Sequence, residues 1–106
     1  MTYLTPWTII FDGSSTSESA GAGIILISPE GLKTELSFTL DFECTNNQAE
    51  YEALIIGLEI LIIDLRASTI QIIGDSLLVL KQISGEYKCS SKALLPYFAM
   101  AVQLLD

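Results

Sequence analysis

Histidine is missing from this sequence altogether. That excludes Ser-His-Asp and Cys-His catalysis and every zinc site built on imidazole. Bases are scarce too: 5 Lys and Arg stand against 13 Asp and Glu, for a net charge of −8. A surface of that sign does not hold nucleic acid by simple attraction to phosphate. Carboxylates that bind divalent cations, however, invert the local charge. The two cysteines, Cys44 and Cys89, follow no framework spacing and read as free thiols of a reducing compartment. No apolar run is long enough to span a membrane, because the most apolar stretch, 54–65, is interrupted by Glu59 and Asp64. The opening MTYLTPW has neither the basic nor the apolar region of a signal peptide. The expectation is an intracellular chain, cytoplasmic or nuclear, with no membrane partner.

What is present is one domain's worth of residues, 106 of them, half hydrophobic. The chain is organised around Thr45–Asp64, TNNQAEYEALIIGLEILIID. Thr45 with Gln48 three residues later is a capping-box signature. The Ala-, Leu- and Ile-rich run that follows predicts a largely buried helix ending at Asp64. Glu50 lies in that helix with Ala49, Ala53 and Leu54 around it. A carboxylate there is costly unless a cation stands opposite it.

The rest of the chain reads as strands and two shorter helices. Trp7–Phe11 is a nearly continuous apolar run, predicted as a buried central strand that ends in the polar turn Asp12-Gly13-Ser14-Ser15. Ala20–Ile27 predicts a second strand, Ser28–Gly31 a β-turn with Pro29 in second place, and Lys33–Leu40 a third strand with one face in solvent. These three make an antiparallel meander. After the long helix, Thr69–Ile73 predicts a fourth strand, parallel to the first through a right-handed crossover. Ser76–Ile83 reads as a short helix, and Ser91–Leu105 as a last one whose regular part starts at Pro96.

On this plan Asp12 and Asp75 end adjacent parallel strands, and Glu50 is near the start of the helix that joins them. In open α/β sheets that edge is where ligands bind. Three acids there repel one another unless a divalent cation neutralises them. Mg²⁺ suits carboxylate oxygens and keeps waters for phosphate chemistry, and two such ions can drive phosphodiester hydrolysis.

The ordered segments WTIIFDGSS, GAGIILISPEG, TNNQAEYEAL and GDSLLVLKQISGEY resemble the ribonuclease H domain of plant Gypsy-type LTR-retrotransposon polyproteins, over residues 7–105. The resemblance implies an α/β, ribonuclease H-like mixed sheet in the order 3-2-1-4-5 with helices packed on it. It implies cleavage of the RNA strand of RNA/DNA hybrids, dependent on Mg²⁺ with Mn²⁺ as a substitute, and a reverse transcriptase domain upstream. The family's first three metal-binding acids fall on Asp12, Glu50 and Asp75. Its hybrid contacts fall on Gly13, Ser14, Asn46, Asn47 and Ser76.

The family's fifth strand and final helix, with a fourth metal-binding Asp, have no counterpart in the sequence, which therefore reads as a single domain, 1–106, incomplete at its C-terminus. Asp106 is placed too early to replace that acid. Leu77 stands where this group has Gln, and Lys81, Lys88 and Lys92 are the only lysines near the expected groove. The alternative reading is a catalytically degenerate retroelement remnant that binds metal or a neighbouring protein. A sheet ending at 69–73 also leaves an apolar edge, so self-association is expected.

Overall fold

The computed structural model describes residues 5–74 and 76–106. Its elements are β1 (Trp7–Ser15), β2 (Ala20–Ile27), β3 (Lys33–Leu40), α1 (Asn46–Glu59), β4 (Ile70–Gly74), α2 (Leu77–Ile83) and α3 (Leu95–Leu105). A turn of π-helix, Ile60–Asp64, continues α1. The strands form one sheet in the order β3-β2-β1-β4, with β1 antiparallel to β2 and parallel to β4. This is the antiparallel meander plus parallel fourth strand that the sequence predicts.

Alternation sorts the sheet into two faces. Ile9 and Phe11 of β1 and Ala22, Ile24 and Leu26 of β2 point to the helices and are buried. With Tyr51, Leu54, Leu58 and Leu61 they make the core. Two glycines let α1 lie close on that face. A Cβ at Gly57 would come within 2.2 Å of Ile9 Cδ1, and one at Gly13 within 2.2 Å of the Ala49 carbonyl carbon. At both positions only a hydrogen fits.

Some boundaries differ from the sequence reading. Strand β1 does not turn at Asp12: it runs on to Ser15, with Asp12 opposite Gly23, Gly13 opposite Ala22 and Ser14 opposite Gly21. The turn chemistry of Asp-Gly-Ser-Ser is overridden by pairing with the small residues that open β2. The long helix is regular only to Glu59; beyond it the Leu65 N–H donates to the Ile60 carbonyl, five residues back, at 2.9 Å. The run of β-branched isoleucines there crowds an α-helical turn, and the wider turn releases the chain through Arg66, whose φ is 53°. Strand β4 starts one residue later than predicted, at Ile70. The last helix is regular from Leu95, with Pro96 in its first turn as expected and 91–94 forming a turn ahead of it.

Candidate active site

The capping box fixes where α1 begins. The Thr45 N–H donates to Gln48 Oε1 at 2.9 Å, and the Gln48 N–H donates to Thr45 Oγ1 at 3.2 Å. With the start set there, the fifth residue of the helix is Glu50, on the side that meets β1 at Gly13. The would-be Cβ of Gly13 lies 2.4 Å from the Glu50 backbone nitrogen. The backbones carrying Asp12 and Glu50 are thus in direct contact. Glu50 is 8 % exposed, whereas Asp12 is open to solvent.

The last parallel pair between β1 and β4 is Phe11 with Gly74. Asp12 is the next residue of β1, paired with Gly23 of β2 and exposed to solvent, and the position that follows Gly74 lies outside the described residues. Alternation turns Asp12 away from the face that α1 covers, so the contact at Gly13 is one between backbones. The Phe11 ring lies over Gly74, where a Cβ would come within 2.4 Å of Cε1. The third predicted acid, Asp75, lies outside the described residues, and among those described no cluster of three or more metal-ligating side chains occurs.

Asn46, predicted to touch substrate, is built into the protein through its carbonyl. Asn46 Oδ1 accepts from the Ser15 N–H at 2.8 Å and from the Ser15 hydroxyl at 3.0 Å. That ties the end of β1 to the first turn of α1 and leaves the amide NH₂ as the outward donor. Asn47 follows it, half-buried; Ser14 is exposed on β1. The Ser76 hydroxyl caps α2, accepting from the Val79 N–H at 3.3 Å, so its oxygen serves the helix. Leu77 beside it is 61 % exposed.

Behind Glu50 a buried link holds the helices in place. The Tyr51 hydroxyl, wholly buried, donates to Gln82 Oε1 at 2.6 Å, joining α1 to α2. Its ring lies 6.3 Å from that of Tyr97 on α3. Burial pushes the Tyr51 phenol up to about 12, with a smaller contribution from Cys89. Sequence spacing gave no sign of this link or of the Ser15–Asn46 clamp.

The electrostatics are mixed. Beside the start of α1 an open cleft of about 890 Å³ is lined in part by Glu18, Asp41 and Glu43, with Thr45 and Gln48. Lys81 is engaged locally, 3.4 Å from Glu86 Oε1 and 5.0 Å from the centre of the Tyr87 ring. Lys88 and Lys92 are exposed.

A mixed sheet with three antiparallel strands and one parallel, with helices packed on it, is a ribonuclease H-like domain. The profile of the reverse transcriptase-like family matches residues 10–105, and the chain belongs to that family. Its structure is similar to RNase H1 of the halophilic archaeon Halobacterium salinarum, with a TM-score of 0.84 and 36% identity over 93% of this chain and 76% of that one. LC11-RNase H1, solved in complex with an RNA/DNA hybrid, is similar at a TM-score of 0.82 and 32% identity over 92% of this chain and 75% of that one. Ribonuclease HI of Halobacterium salinarum is 41% identical over 80 residues, 73% of this chain and 39% of the relative. The chain spans about two fifths of the length of the curated relatives it matches.

Proposed function

We propose that this domain hydrolyses the RNA strand of RNA/DNA hybrids with a divalent cation held by Asp12, Glu50 and Asp75. The observation that carries this reading is the close approach at Gly13, which puts the backbone of an exposed carboxylate residue against that of a buried one. The donors are carboxylate oxygens only, a set that fits a hard cation such as Mg²⁺, or Mn²⁺ in its place, better than a soft one. When bound, such an ion supplies charge stabilisation and an activated water for phosphodiester hydrolysis. The protein's part is to hold Glu50 dry on a capped helix and Asp12 at an accessible strand edge. The outward amide of Asn46 is the group suited to a ribose 2′-hydroxyl, with the Gly13-Ser14 backbone, Asn47 and Ser76 as further contacts of the hybrid in this reading.

The likeness to an RNase H1 that was solved with a hybrid supports this substrate. A retroelement origin would add a reverse transcriptase domain as the natural partner, in keeping with the reverse transcriptase-like family. The second reading is a remnant that binds metal or protein and no longer cleaves. The acidic cleft, the local engagement of Lys81 and the exposed Leu77 favour it, since each weakens the hold on a polyanion.

The two readings separate on an end-labelled RNA/DNA hybrid incubated in Mg²⁺ and in Mn²⁺, with Asp75→Asn as control. Cleavage of the RNA strand that the substitution abolishes is the expected result. A folded protein that leaves the hybrid intact in both metals would overturn the nuclease reading in favour of the remnant.

A further inference from the structure

Strand β3 pairs with β2 on one side and, among the described residues, with no strand on the other. It is outermost as well in the order 3-2-1-4-5 that the resemblance implies. Helix α1 packs on β1 and β2, and none of the eight residues of β3 is buried. On the helix side of the sheet Leu36 and Leu40 are only half-covered, and Phe38 between them is 39 % exposed. On the solvent side stand Lys33, Glu35, Ser37 and Thr39, with Asp41 just past the strand. The backbone is set for a further partner. The Ser28 N–H donates to the Leu32 carbonyl at 2.9 Å. In the β2–β3 register that bond turns the groups of Thr34, Leu36 and Phe38 toward β2, and those of Lys33, Glu35, Ser37 and Thr39 outward.

We propose that this edge pairs with the same edge of a second copy of the chain, antiparallel about a two-fold axis at Ser37. Charges on an edge strand ordinarily keep a second strand away. Here their order along the strand makes the edge fit itself, as a two-fold contact requires. Lys33 falls opposite Asp41 of the other copy, Glu35 opposite Thr39, and Ser37 opposite itself. On the helix side Leu36 falls opposite Phe38, which it covers, and Thr34 opposite Leu40. Outward backbone groups meet outward backbone groups throughout. Moving the axis by one residue spoils the match: at Leu36 it leaves Lys33 facing Thr39, and at Phe38 it sets Glu35 against Asp41. One eight-residue strand from each copy gives a small interface, so the association is reversible and depends on concentration.

Sedimentation of the intact chain over a range of concentrations tests the proposal without reference to catalysis. The weight-average mass is expected to rise from 11.6 kDa toward twice that value. Lys33→Glu sets a carboxylate against Asp41, and Asp41→Lys sets an ammonium against Lys33. Each is expected to weaken the association by about tenfold or more, because the axis counts every pair twice. The double variant brings opposite charges together again and is expected to recover the association. Ile73→Lys, on β4, is expected to leave it intact. Both charge positions are exposed, so the far-UV spectrum is expected to match the parent in every variant. A monomer at every concentration would overturn the proposal. So would a dimer that the single reversals leave unmoved, that the double variant fails to recover, or that Ile73→Lys dissolves, since each places the contact elsewhere.

Discussion

A single methyl group at position 13 would collide with backbone on the far side of the contact, the Ala49 carbonyl and the Glu50 nitrogen. Backbone cannot step aside as a rotamer can. Gly13→Ala is therefore expected to cost about 3 kcal/mol or more, the upper end for overpacking, and to push Glu50 away from β1. Urea denaturation reads the first effect and a loss of metal affinity the second. A variant as stable as the parent would show that α1 and β1 stand further apart than described. At the next position along the helix, Tyr51→Phe leaves the buried Gln82 without its 2.6 Å donor, at a cost of about 1–3 kcal/mol. Adding Gln82→Leu should recover much of it, since an apolar pair strands no polar group; stability unchanged in the single variant would contradict the link. The acids were picked out in the sequence because a carboxylate stands out against apolar neighbours, and of the three the structure describes Asp12 and Glu50. The Ser15–Asn46 clamp and the Tyr51–Gln82 bond were not, since each joins ordinary polar residues 31 positions apart.

At the scale of elements, the start of α1 was readable to the residue, because a capping box is local chemistry written at fixed spacing. Its end was not, because a π-turn arises from crowding and from where β4 has to begin. The end of β1 was misread for a related reason: local turn preference pointed one way and the β2 pairing another. Gly57 shows how packing can outvote propensity. Alanine there would improve the helix by about 1 kcal/mol on propensity alone, yet its Cβ would fall 2.2 Å from Ile9 Cδ1. Gly57→Ala is expected to destabilise by about 1–3 kcal/mol net. Ile9→Val, which removes the Cδ1 atom, should relieve part of that in the double variant. Additive losses, measured by thermal and urea unfolding, would contradict direct contact between the two.

For the whole molecule, the pairing of the four strands followed from element order and the right-handed crossover. The net charge of −8 carries a further consequence. Glu50 is buried where α1 meets β1 at Gly13, the residue after Asp12, and the cation proposed at these two acids would offset their charge. Mg²⁺ should therefore stabilise the folded state, by about 2.7 kcal/mol at a hundredfold excess over its dissociation constant. The most direct measurement is the unfolding free energy of the chain as Mg²⁺ is titrated, for the parent, Asp12→Asn, Glu50→Gln and Glu59→Gln, the last altering an exposed acid elsewhere on α1. A saturable gain in the parent and in Glu59→Gln, lost in Asp12→Asn and Glu50→Gln, is the predicted result. A gain that is absent in the parent, or that Glu59→Gln reduces as much as the other two, would contradict a shared cation at Asp12 and Glu50.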